Sequence, residues 1–262
     1  MAQTTGERAR VQATDDLETL RREHGELQVR AAELAADLSR AGAELNLFTA
    51  MLVHELQEPL RKIQMFGELM NTPEASGAGA EYGARMQDAG RRMGRLISDI
   101  LSLSRVTIDA KRLERVELDA VLTEVAADYA VLLDDVGGRL EVGPLPAVRG
   151  DASQLRQLFG NLLSNAAKFR RPDEALRITV SSRPAPPGFV ALEVADNGFG
   201  FEEKYARKIF EPFQRLHRRT EYEGSGMGLA ICARIAARHA GTLEAHGEPG
   251  RGAVFAVTLK SP

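Results

Sequence analysis

Met51-Leu-Val-His-Glu-Leu-Gln-Glu-Pro-Leu-Arg-Lys-Ile-Gln-Met65 is the stretch on which the reading of this chain turns. Its apolar residues Leu52, Leu56, Leu60 and Ile63 recur near a 3.6-residue period, which predicts an amphipathic helix. His54 falls off that face, towards solvent, with Glu55 next to it. An exposed imidazole beside a carboxylate can act as a nucleophile, because the acid takes the ring proton or fixes the tautomer. An ordinary solvated histidine fits the same local pattern, so the rest of the chain has to decide.

Upstream, a 3-4 spacing runs through Leu17, Leu20, His24, Leu27, Ala31, Leu34, Leu38, Ala41, Leu45, Phe48 and Leu52, the pattern of a left-handed coiled coil. A narrow apolar stripe on one helix cannot bury itself. The simplest partner is a second copy in a parallel homodimer, the alternative an intramolecular helix pair. Residues 1–16 are polar and read as a frayed lead-in. Continued onward, the repeat puts Glu55 on the seam and His54 off it, so the heptad ends or shifts there. Pro59 lacks an N–H and clashes with the carbonyl one turn back, which bends or loosens the helix. It is either a tolerated kink or a point at which the His54 segment answers rotation of the upstream coil.

Downstream, Asn71-Thr-Pro-Glu-Ala-Ser-Gly-Ala-Gly is a break. A second helix carries Met86, Met93, Leu96, Ile97, Ile100, Leu101 and Ser104, with Ala89 and Gly90 small enough for close approach. Two helices joined this way form an antiparallel hairpin, and two hairpins a four-helix bundle. Residues 105–116 look too polar for a core and read as a linker.

Beyond Val116 the pattern becomes mixed. Helices are expected over 118–133, from an Asp151 cap to about residue 169, near 202–208 and over 227–239; strands over 139–142, 175–182, 189–195, 241–246 and 252–259. Single helices between strands able to pair antiparallel imply one mixed sheet with helices on a single face.

Three stretches in this half carry chemistry. On the helix after Asp151, Asn161 and Asn165 share a face, and their amide oxygens suit a hard divalent cation. Lys168 lies about one turn on, where its ammonium reaches a phosphate. Asp196-Asn-Gly198-Phe-Gly200 follows a strand directly: the carboxylate can accept from an exocyclic amine while the glycines let backbone approach a flat ring, or the segment is a plain turn. Gly224-Ser-Gly226-Met-Gly228-Leu229 runs into a helix and offers backbone N–H groups to an anion, though it is neither the dinucleotide fingerprint nor the P-loop.

Bulk composition narrows the partners. The chain has 262 residues, 44% hydrophobic and 27% charged, as folded soluble domains do. A net charge of −3 gives no reason to expect nucleic acid or an anionic membrane. The single cysteine, Cys232, excludes an internal disulfide and a cysteine metal cluster, and reads as a small buried hydrophobe. The sequence has neither a long apolar run nor a signal core, so no transmembrane segment is expected and the cytoplasm is the expected compartment.

Together these residues resemble the dimeric sensor histidine kinases of bacterial two-component systems. His54-Glu-Leu-Gln-Glu-Pro-Leu resembles the phospho-acceptor motif, and residues 161–169 the N box. Asp196-Asn-Gly-Phe-Gly resembles the G1 box, Phe210-Glu-Pro-Phe the F box, and Gly224-Ser-Gly-Met-Gly-Leu the G2 box. The resemblance covers roughly residues 42–262, and HELQEPLRKI is most similar to the subgroup found behind phytochrome and related sensory modules.

The resemblance implies an all-α helical-hairpin dimerisation domain, a four-helix bundle in the dimer, followed by an α/β sandwich ATP-binding domain of the GHKL type. The implied boundaries are 1–41 for a coiled-coil helix, 42–110 for dimerisation and phosphotransfer, and 111–262 for the catalytic domain. His54 would be the autophosphorylated residue and Glu55 its proton acceptor. Asn165 would be the principal Mg²⁺ ligand, with Asn161 and Lys168 near metal and phosphates. Phe169 would pack near the adenine of ATP and Asp196 bind its amino group. Gly198 and Gly200 would line that pocket, and Gly224, Gly226, Gly228 and Leu229 wrap the phosphates. Residues 199–225 would be a mobile lid, in which Arg215, Arg218 and Arg219 either meet the γ-phosphate or are ordinary surface charge.

The implied activity is autophosphorylation and transfer to an aspartate of a response regulator supplied in trans. No sensor region is recognisable, so the chain is either a catalytic core or a small kinase informed by an upstream sensor protein. Transfer within one subunit or across the dimer hangs on the handedness of the loop at 71–80. Glu58 departs from the family, which often has Thr or Asn there to orient water for phosphatase action; the expectation is weak phosphatase activity. Two rival readings stand: a non-catalytic dimeric scaffold that binds a receiver domain, and an ATPase of the gyrase and chaperone group, which needs no acceptor histidine.

Overall fold

The computed structural model describes residues 2–72, 77–108, 112–216 and 224–262. Part of the 71–80 loop, and Arg218 and Arg219 of the expected lid, lie outside the described residues. The chain divides into two compact units, Met1–Glu55 and Leu56–Pro262.

The first unit is helical throughout. Helix α1 (Ala2–Met70) starts at Ala2, so residues 2–16, expected to fray, lie in the helix. They contain no proline and a single glycine, Gly6. Leu27, Leu34, Leu38 and Leu45 are exposed along the stripe expected to form a coiled coil. His54 and Glu55 close this unit.

The second unit opens with the rest of α1, which includes Pro59, and turns into α2 (Gly79–Ile108). Phe66 stacks on Tyr82 with ring centroids 5.8 Å apart, and the Arg85 guanidinium lies over the Phe66 ring. Glu58 reaches Arg92 at 3.7 Å across the hairpin and Lys62 at 3.4 Å along α1. Ala89 is buried, as expected for a close approach of helices, whereas Ile97 and Leu101 are exposed. The linker expected at 105–116 is structured at both ends, and its residues 109–111 lie outside the described residues: α2 runs to Ile108, Val106 is buried, and β1 (Glu114–Glu117) begins early and buries Val116. Polar neighbours hid these two valines, because each element buries a single narrow face.

The rest is α3 (Leu118–Asp135), β2 (Arg139–Val142), β3 (Ala147–Gly150), α4 (Ala152–Lys168), β4 (Arg177–Arg183), β5 (Phe189–Asp196), α5 (Gly228–Arg238), β6 (Thr242–Glu248) and β7 (Gly252–Lys260). Five strands form one mixed sheet in the order β2-β4-β5-β7-β6, with β2 and β4 parallel and the other neighbours antiparallel. A separate two-stranded ribbon pairs β1 with β3 antiparallel and is an addition to the expected single sheet. The helix expected near 202–208 is instead two short 3₁₀ turns, Glu203–Tyr205 and Lys208–Phe210.

Helix α4 shows why the layer holds. Asp151 caps it by accepting the N–H groups of Ser153 and Gln154, and Leu155, Leu158, Phe159, Leu162 and Leu163 recur on one face, all fully buried. They meet inward-facing Ile178, Val180, Leu192 and Val257 of the sheet in one core. Truncating one such leucine to alanine costs about 2–5 kcal/mol. Burial of that face sets the opposite, polar face of α4 towards the pocket described next.

Candidate active site

His54 stands in the first unit with its side chain 78% exposed, open to another molecule. Its Nδ1 is 3.9 Å from Glu55 Oε1, an ion-pair distance rather than a hydrogen bond. A carboxylate on the Nδ1 side favours the tautomer with hydrogen there, which leaves the Nε2 lone pair as the nucleophile.

In the second unit, a pocket of about 350 Å³ opens between α4, the end of β5, the start of α5 and α2. That is within the roughly 300–1,000 Å³ usual for small-molecule sites. Of the eleven second-unit residues singled out from sequence, ten line it: Asn161, Asn165, Lys168, Phe169, Asp196, Gly200, Gly224, Gly226, Gly228 and Leu229. Gly198 does not; it lies behind the wall, where a Cβ would stand 2.5 Å from the Phe169 carbonyl oxygen. Its N–H donates to Asp196 Oδ1 at 2.8 Å, so it orients the carboxylate instead of touching a ligand.

Asp196 sits at the end of β5, largely removed from water. Burial raises its pKa above the ordinary aspartate value, and the backbone N–H groups of Gly198 and Ala253 oppose that rise without cancelling it. A desolvated, oriented carboxylate is a strong and selective acceptor for an amine. At the other end of the pocket Asn161 donates through Nδ2 to the Gly228 carbonyl at 3.2 Å. That uses its nitrogen within the protein and makes its oxygen, with that of Asn165, the candidate cation donor. Among the described residues no group of three or more His, Cys, Asp or Glu could hold a metal. A magnesium ion here would be held by amide oxygens together with phosphate oxygens and water, all of them the oxygen ligands this hard cation takes. The donor set fits.

The glycine loop is clamped from several sides. Lys168 Nζ lies 4.5 Å from the Phe169 ring centroid, and a Cβ on Gly224 would stand 2.7 Å from that same Nζ. Arg215 donates to the Gly224 carbonyl at 2.7 Å. Gly226, at φ 78°, lets the loop pass the Phe213 and Gln214 backbone, which a Cβ would strike at 2.9–3.0 Å. The pocket thus has the cations Lys168 and Arg215 beside the glycine loop, and carboxylates at Asp196 and Asp99.

Sequence reasoning missed the contribution of α2. Arg95, Ser98 and Asp99 line the pocket, and nothing in their local pattern signals it.

Two family models match the chain. "His Kinase A (phospho-acceptor) domain" matches residues 44–107, and "Histidine kinase-, DNA gyrase B-, and HSP90-like ATPase" residues 150–262. Cyanobacterial phytochrome A of Nostoc sp. (strain PCC 7120 / SAG 25.82 / UTEX 2576) is 34% identical over 231 residues, which cover 87% of this chain and 30% of the relative. The chain thus spans about 30% of that relative's length. Full-length ShkA, solved in complex with AMPPNP, is 27% identical with a TM-score of 0.56, over 81% of this chain and 46% of that one. Histidine kinase ThkA, solved in complex with response regulator protein TrrA, shares the fold at 20% identity and a TM-score of 0.61, over 82% of this chain and 61% of that one. A phospho-acceptor segment around His54 followed by an ATPase domain around the pocket is the family's own order, and the chain belongs to the sensor histidine kinases.

Proposed function

We propose that this chain is an ATP-dependent protein histidine kinase that phosphorylates itself on His54 and passes the phosphoryl group to an aspartate of a separate response regulator. The observation that carries the proposal is the presence, in one chain, of an exposed His54 with Glu55 at its Nδ1 side and of a pocket that gathers Asn161, Asn165, Lys168 and Asp196 around a glycine loop. ShkA with AMPPNP and ThkA with TrrA support the nucleotide and the partner respectively. On this reading residues 1–41 are a coiled-coil helix, 42–110 the dimerisation and phosphotransfer domain, and 111–262 the catalytic domain. The chain works as a homodimer in the cytoplasm and takes its signal either from an upstream sensor protein or from a sensor domain.

In the mechanism, Asp196 accepts from the adenine amino group and Phe169 packs by the ring, which fixes one end of ATP. Lys168, Arg215 and the N–H groups of the glycine loop draw in the phosphates at the other end. Magnesium, held by Asn165 with Asn161 beside it, would supply charge neutralisation at the phosphate oxygens. His54 Nε2 then attacks the γ-phosphorus in line, a P–N bond forms, and the bond to the ADP oxygen breaks. The ring hydrogen on Nδ1 leaves to Glu55, so the product is a neutral imidazole bearing the phosphoryl group. Most of the barrier reduction comes from positioning and charge neutralisation.

The test is incubation of the purified chain with Mg²⁺ and ATP radiolabelled at the γ-phosphate, beside His54→Gln and Asn165→Ala variants. The expected result is an acid-labile, base-stable label on the wild type that both variants lose. Label retained on His54→Gln rejects His54 as the acceptor.

A further inference from the structure

Helix α2 forms part of the nucleotide pocket's wall, and three polar contacts fasten it to the catalytic layer. Gln157 on α4 donates to Ser102 Oγ, Arg238 at the end of α5 donates to the Val106 carbonyl at 3.1 Å, and Ser225 donates its hydroxyl to Asp99 Oδ2 at 2.5 Å. The first two join helix to helix. The third ends in the glycine loop, on the residue between Gly224 and Gly226.

Ser225 is a relay. Its Oγ also accepts the N–H of Met227 at 3.1 Å, and Met227 immediately precedes α5. A hydroxyl has one hydrogen to give. Committing it to Asp99 directs the lone pairs of Ser225 back into its own loop, where Met227 meets them. The loop needs such an external hold, because Gly224 (φ 142°) and Gly226 (φ 78°) occupy backbone regions that only glycine visits freely, and glycine is the least self-restrained residue. Asp99 is half-buried, and burial raises its pKa against the opposing effects of the Ser225 hydrogen bond and the Arg95 charge.

We propose that Asp99 is a positioning residue for nucleotide binding: from α2 it fixes Ser225, and through Ser225 the turn that opens α5, so that the glycine loop is set for phosphates while α2 is seated against the catalytic layer. This rests on the pocket being a nucleotide site. Asp99 itself touches no reacting atom. Because linkage is reciprocal, nucleotide in the pocket in turn favours the seated arrangement of α2.

The experiment is calorimetric titration of ADP into the full chain as wild type, Asp99→Ala, Asp99→Asn, Ser225→Ala and the Asp99→Ala, Ser225→Ala double variant. Asp99→Ala and Ser225→Ala are each expected to weaken ADP about tenfold, the scale of one hydrogen bond to a carboxylate. The double variant should lose no more than either single one, since both break the same relay. Asp99→Asn keeps an acceptor and the side-chain shape, and should hold affinity within about threefold. That split separates a positioning hydrogen bond from both fold damage and the carboxylate's charge. Additive losses, an Asp99→Ala affinity equal to wild type, or tighter binding in both Asp99 variants each overturn the proposal. Wild-type protein that binds no ADP overturns the nucleotide reading, and this inference with it.

Discussion

His239 Nε2 accepts the backbone N–H of Asp151 at 3.0 Å, joining the end of α5 to the N-cap of α4. Its Nδ1 faces the Ile235 carbonyl at 2.8 Å, so the ring is neutral with its hydrogen on Nδ1. The side chain is fully buried, and burial lowers its pKa below the ordinary value of 6.5. Protonation would place a charge in the core and remove the acceptor that Asp151 uses. The stability from this contact is thus complete above pH 6.5, erodes as the pH falls below it, and is exhausted below the folded value. Melting temperature should fall across that window. His239→Ala should melt lower at pH 8 by an amount equivalent to about 3 kcal/mol, and should lose less on further acidification. A variant whose acid sensitivity equals that of wild type would contradict this.

Asp196 titrates in the opposite sense. Burial raises its pKa, so it takes up a proton at a higher pH than an ordinary aspartate as solution is acidified. The ionised form is the strong acceptor for an adenine amine, so ADP affinity should decline on acidification earlier than an exposed carboxylate would dictate. Asp196→Ala should bind ADP about 10- to 100-fold more weakly at neutral pH, and its affinity curve should lose the Asp196 step. An unchanged pH profile in that variant would move adenine recognition elsewhere.

Much of this architecture is legible in the sequence, because the deciding signals are local. The Asp151 cap and the 3.6-residue rhythm from Leu155 to Leu163 define α4, and that helix alone puts Asn161, Asn165 and Lys168 together. The turn-forming residues from Asn71 mark the boundary between α1 and α2 in the same way. What stayed hidden depends on distant partners. β1 and β3 are four residues each, too short for alternation to show, and they find each other across the whole of α3 and β2. Val106 stands between Arg105 and Thr107, and Val116 between Arg115 and Glu117, so their immediate neighbours do not mark them as buried. Asp99 lies on a helix read as a bundle element; its Ser225 partner is 126 residues on, and no periodicity reports such a pair.

Cys232 is fully buried on α5, and its thiol donates to the Leu158 carbonyl at 3.5 Å. Burial pushes its pKa up to about 12, so thiolate is negligible at neutral pH. Native protein should therefore resist a thiol-specific disulfide reagent at pH 8, and react with one equivalent when unfolded in guanidinium. Stoichiometric labelling of the native chain within minutes would show that α5 opens far more readily than its packing implies.

Glu58 occupies the position where many histidine kinases carry Thr or Asn, and its carboxylate lies within 3.4 Å of Lys62 and 3.7 Å of Arg92. Two cations at that range offset much of its negative charge, so repulsion of a phosphorylated partner is a weaker argument than the sequence alone suggests. The stronger argument is donor chemistry: an ionised carboxylate has no hydrogen to give, and cannot orient water against a phosphoryl oxygen as a hydroxyl or amide does. The cross-hairpin contact with Arg92 gives Glu58 a structural use in place of that one. Adding this chain to its purified phosphorylated response regulator should change the rate of phosphate loss by less than about twofold, while Glu58→Thr should raise that rate. A strong acceleration by wild type that disappears in Glu58→Ala would instead make Glu58 a working part of a phosphatase.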